Sequence, residues 1–159
     1  MLSLLAALLL QSAFPALDAE TLTGEAVSLP EGLPGPTVMV VGFQRDHDDE
    51  LLGWVEGMGL KQPDAAPWRQ LTVLGERPGF VKFFIENWME AKISEEGLRE
   101  RVIMLYRDRE ETAQSLGLSG TQDVAAMVVS PGGAILARAE GPFTEEKAAA
   151  LRRALQEAR

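Results

Sequence analysis

His47 stands among Asp46, Asp48, Asp49 and Glu50, the densest polar cluster of the chain. An imidazole beside carboxylates is the residue set of general acid–base chemistry, and clustered carboxylates are the hard oxygen donors a divalent cation takes. If a helix begins as early as Asp46, then Asp46, Asp49 and Glu50 share one face of it. The simpler reading is a solvated acidic first turn that complements the positive end of a helix dipole. No distant cluster completes a ligand set, so the solvated turn is preferred. A metal-binding protein or metal-dependent enzyme using Asp46–Glu50 stays as the alternative.

Other chemistries are excluded by composition. The 159 residues include no cysteine, which removes disulfides, thiolate nucleophiles, thiolate–zinc sites and iron–sulfur clusters together. His47 is the single histidine, so no two-histidine metal motif exists. No Gly-x-Ser-x-Gly elbow nominates a serine nucleophile, and no Gly-x-x-x-x-Gly-Lys loop offers to cradle a phosphate. A formal net charge of −9 without any basic run argues against a nucleic-acid surface and favours a basic partner. No cofactor is expected.

The elements that must position the cluster follow from patterning. Apolar residues at 46% and charged residues at 25% suit one globular domain. Thr37–Phe43 is a continuous β-branched run, read as a strand buried on both faces. Leu51, Trp54, Val55 and Met58 recur at helical spacing after the acidic turn. Trp68–Leu74 and Val102–Tyr106 read as further strands, with a short extended piece at Glu25–Leu29. Phe80–Lys92 reads as a helix with polar Lys82, Glu86 and Glu90 along one line. Its wide aromatic stripe, Phe80 to Trp88, is expected to be core, with an apolar excess that would suit a partner. Asp108–Leu116 is a short helix ended by Gly117. Val124–Val129 and Ala134–Ala139 flank Ser130-Pro131-Gly132-Gly133, a hairpin signal. Thr144 caps the last helix. The expectation is an α/β fold with one mixed central sheet of about five strands, flanked by helices on both faces.

Leu2–Leu10 is nearly all apolar, too short to span a bilayer but suited to the core of a secretory signal. The reading is a signal-like leader over 1–13 and one domain over 14–159. The protein is then exported, periplasmic or membrane-associated.

Phe14-Pro15-Ala16-Leu17-Asp18-Ala19 followed by Gly24-Glu25-Ala26-Val27-Ser28-Leu29 resembles the opening of the thioredoxin-like redoxins. Gly120 to Ile135, then Gly141-Pro142-Phe143-Thr144, resembles their closing hairpin and helix. That resemblance implies a thioredoxin-like fold, with Gln44 to Glu50 where those proteins carry their cysteine pair. Gln122-Asp123 stands where they carry a cis-proline, so both halves of the redox site are missing. Phe84-Ile85-Glu86-Asn87-Trp88-Met89 before Ile93-Ser94-Glu95-Glu96, and Leu105-Tyr106-Arg107-Asp108, are similar to the cysteine-poor ATP-synthase assembly factors of the mitochondrial inner membrane and their bacterial relatives. This implies a non-catalytic, chaperone-like role toward a protein client, including a membrane-embedded one. The implied partner surface is Gln44, Arg45, Asp46, His47 and Asp48 with Gln122 and Asp123. A structural domain of unknown partner is the third reading.

Overall fold

The computed structural model describes residues 13–93 and 96–158. Most of the leader expected at 1–13, and the Ser94-Glu95 part of the assembly-factor pattern, lie outside the described residues. The strands are β1 (Leu17–Thr21), β2 (Ala26–Leu29), β3 (Thr37–Gly42), β4 (Trp68–Val73), β5 (Val102–Leu105), β6 (Ala125–Val129) and β7 (Ile135–Glu140). The helices are α1 (Asp48–Gly57), α2 (Gly79–Lys92), α3 (Glu96–Arg99), α4 (Arg109–Ser115) and α5 (Glu145–Glu157).

All seven strands join one sheet in the order β2-β1-β5-β4-β3-β6-β7. The expectation of about five strands was too small. Leu17–Thr21 is a strand with only Leu17 and Thr21 buried, and its acidic Asp18 and Glu20 hide it from a hydrophobicity reading. Antiparallel pairing with β2 and β5 is what makes it extended. β3, β4 and β5 are parallel, whereas β6 runs antiparallel to both β3 and β7. The apolar runs predict the centre correctly: every residue of β3, β5 and β6 is buried, as two covered faces require.

Alternation splits the core. Met39, Val41, Leu71 and Ile103 point to the face that carries Ala113 and Leu116 around α4. Val38, Val40, Ala126 and Val128 point to the opposite face, against Trp54 of α1 and Leu151 of α5. One end signal holds as read: the Thr144 hydroxyl accepts from the Lys147 N–H at 3.2 Å. Asp108, read as the first residue of its helix, instead caps α4, its carboxylate accepting from the Glu111 N–H at 2.9 Å.

α2 departs from expectation. Its aromatic stripe is not core: Phe80, Phe83 and Phe84 are 69%, 62% and 67% exposed, and Trp88 is 47% exposed. Only Met89 is buried, packing with Leu22, Val102 and Met104 and with partly buried Ile85. A helix apolar over more than half its circumference cannot bury it all against one sheet face. The aliphatic side took the sheet, and the aromatic side was left outside.

Tyr106 sits under the same helix. Its hydroxyl donates to Glu86 at 3.3 Å, and the Lys82 ammonium lies 4.7 Å from the ring centre. Burial first, and then the Glu86 charge and hydrogen bond, push its phenol well above the ordinary value of about 10. The folded state therefore holds this proton more tightly than the unfolded chain. The stabilisation is complete below about pH 10 and is lost as pH rises toward the higher folded value. Because the chain has one tyrosine, phenolate absorbance reports this group alone. Ionisation is expected later in the native protein than in urea, and earlier again in Glu86→Gln. Coincident native and urea curves would contradict this account.

Candidate functional site

The cluster that opened the sequence reading lies at the C-terminal end of β3. Gly42 ends that strand, and a Cβ there would stand 2.7 Å from Leu51 Cδ1, so glycine lets α1 pack close. Gln44 is extended, Arg45–His47 form a 3-10 turn, and α1 begins only at Asp48. Asp46 therefore precedes the helix and does not share a helical face with Asp49 and Glu50. The acidic first turn of α1 is Asp48, Asp49 and Glu50.

His47 turns inward and is 4% exposed. The Phe43 N–H donates to its Nδ1 at 3.0 Å, and its Nε2 lies 3.0 Å from the Gln122 carbonyl. An amide N–H can only donate and a carbonyl can only accept, so Nδ1 is the acceptor and Nε2 carries the hydrogen. Both ring nitrogens are used inside the protein. Gln44 adds a parallel tie, its side-chain amide donating to the Thr121 carbonyl at 2.9 Å. The Thr121 hydroxyl in turn donates to Glu110 at 3.0 Å, linking the loop to α4. The turn after β3 and the loop before β6 are thus joined by two side-chain-to-carbonyl bonds.

The remaining candidates face outward. Gln44, Arg45, Asp46, Gln122 and Asp123 are exposed, and Asp48 is half-buried. Asp48 pairs with Lys92 of α2. Trp88 receives two cations: the Arg45 guanidinium lies 5.2 Å and the Lys92 ammonium 4.9 Å from its ring centre. His47 belongs beneath this surface, as its support. Among the described residues, no three His, Cys, Asp or Glu side chains come together so as to hold a metal ion. The one cis peptide bond among them is Leu29–Pro30, beside Gly133 at the other end of β6. Gln122-Asp123 is not cis.

Sequence reasoning missed Trp88 and Arg109 as parts of this region. Arg109 opens α4 and lines a cleft of about 310 Å³ with Phe43, Arg45, Phe84 and Trp88. Only the spacing of Phe84 and Trp88 on one helical face hinted at it.

No family profile matches the sequence, and no curated protein matches it. Solved structures do match. The exposed lipoprotein thioredoxin of Streptococcus pneumoniae superposes with a TM-score of 0.57 at 11% identity, over 89% of this chain and 99% of that one. A thiol:disulfide interchange protein from Bacteroides sp. gives 0.55 at 19% identity, over 92% and 87%. The N-terminal domain of PilB from Neisseria gonorrhoeae gives 0.57 at 16%, over 85% and 86%. At such identities the likeness establishes the fold alone: this is a thioredoxin-like α/β domain. It has no cysteine, so thiol–disulfide exchange has no sulfur to proceed through.

Proposed function

We propose that this is a non-catalytic thioredoxin-like protein that binds a protein client through the face where the redoxins it resembles carry their cysteine pair. The carrying observation is that His47 and Gln44 tie the turn after β3 to the Gly120–Asp123 loop. A site with no chemistry to perform still has its two walls held in register, which suits recognition of a chain segment. The contact surface is Gln44, Arg45, Asp46 and Asp48 on one wall and Gln122 and Asp123 on the other. The likeness of the middle segment to ATP-synthase assembly factors supports an assembly or chaperone-like role, with a subunit of a membrane complex as client. The apolar leader, and the exposed lipoprotein among the neighbours, support a site of action outside the cytoplasm or at a membrane. No helix among the described residues is long and apolar enough to cross a membrane.

A photocrosslinking residue placed at Gln44 or at Asp123, in cells expressing the full chain, is expected to capture one reproducible protein from the membrane fraction. The same residue at Arg153, exposed on α5, is the control and should capture nothing in common. Equal capture from all three positions, or none from Gln44 and Asp123, would overturn the reading.

A further inference from the structure

The cleft of about 310 Å³ between the turn after β3, α2 and the start of α4 is charged in an unusual way for this protein. Acidic residues outnumber basic ones, 24 to 15, yet Arg45, Arg77 and Arg109 all line this one cleft, against a single carboxylate, Asp48, which Lys92 pairs. Among the described residues, ion pairs form between Lys92 and Asp48 and between Arg152 and Glu145, so none of the three arginines has a carboxylate partner. Arg77 uses its Nε on the Leu74 carbonyl, at 3.1 Å. Arg109 does less: its Nε is buried and has no hydrogen-bond partner. A buried donor left unpaired is costly, and a guanidinium is built to take two oxygens of one anion. The same cleft has Phe84 and Trp88 as an apolar wall.

We infer that this cleft binds the client segment's own C-terminus, a free carboxylate carried next to an apolar side chain. The carboxylate sits among Arg45, Arg77 and Arg109, and the apolar side chain lies on Phe84 and Trp88. An anionic bilayer fits less well. The whole protein carries −9, so a charged plane would be repelled where a single segment is not. The inference rests on the client-binding reading and adds the chemistry of what is recognised.

The test follows Trp88 fluorescence in the full-length protein, since Trp54 and Trp68 are buried and give a constant background. The probes are acetyl-Ala-Val-Leu-Phe with a free C-terminal carboxylate and the same peptide amidated. The acid is expected to bind about tenfold more tightly, the size of one charge-assisted contact. Arg109→Gln should reduce that preference to about threefold or less. Arg45→Gln should do the same, and because Arg45 is exposed this second variant stays readable if Arg109→Gln folds poorly. Equal binding of acid and amide overturns the inference, as does a preference unchanged in both variants. A response to phosphatidylglycerol vesicles but to neither peptide overturns it in favour of a lipid surface. Failure of crosslinking at Gln44 and Asp123 would instead remove the client reading, so the two failures are separable.

Discussion

Trp54→Ala is expected to cost about 4 kcal/mol of folding stability, near half of what a domain of this size commonly has. The indole is 0% exposed at the centre of the α1–α5 face of the sheet. Its ring meets Phe143 edge-on, with centroids 5.3 Å apart and planes at 85°. Its N–H donates to the Gly141 carbonyl at 2.9 Å, across 87 residues of sequence. Phe143 needs Gly57 opposite it, because a Cβ there would stand 2.6 Å from the ring. Truncation leaves a cavity in a rigid wall and an unpaired buried carbonyl, and neither side can collapse onto the other. Urea unfolding measures the loss. Trp54→Phe keeps most of the ring volume and should cost less, about 1–3 kcal/mol, which isolates the hydrogen bond with part of the volume. A loss below about 1.5 kcal/mol for the alanine variant would show that Trp54 is not the keystone of this face.

The second large effect is expected at His47. His47→Ala removes the imidazole and leaves the buried Phe43 N–H and the part-buried Gln122 carbonyl without their bonds to it. At about 1–3 kcal/mol for the buried Phe43 N–H, with water recovering most of the loss at the Gln122 carbonyl, the total is about 2 kcal/mol. The readout that separates a strut from a plain packing residue is local. Hydrogen exchange at the Phe43 amide should accelerate beyond the global change, because that N–H loses its only acceptor in the turn. Unchanged protection at Phe43 would show that the ring does not hold the turn. The client surface should weaken with it, since Gln44 alone would then join the turn to the loop.

The two residues differ in how readable they were. Trp54 announces its burial, being spaced i+3 from Leu51 and next to Val55 on an apolar helical face. His47 announced the opposite. Lying among four carboxylates, it reads as part of a solvated acidic turn, with acid–base or metal chemistry as the alternative, and its sequence neighbours Asp46 and Asp49 are indeed outside. Its ring turns inward to reach a carbonyl 75 residues away. Nothing in residues 44–50 encodes that partner. β6 pairs beside β3, with Val41 opposite Ala125, and that register brings Gln122 to the turn. The aromatic stripe of α2 misled for a related reason. Periodicity reports that a helix has an apolar face, and it cannot say which of two apolar faces the sheet has room to cover.

Sequence alone determined that this chain has no thiol chemistry, because chemistry of that kind needs an atom that is either present or absent. It also determined the buried centre of the sheet and the cap of α5, where the signal is local: a β-branched run, or one side chain beside one N–H. The tertiary structure decided what stands in place of the chemistry. It added β1 to the sheet, turned His47 into an internal tie, exposed the aromatics of α2, and gathered Arg45, Arg77 and Arg109 from three separate segments around one cleft. Each of these depends on contacts between distant segments, and composition and spacing carry no record of which segments the sheet order will place together.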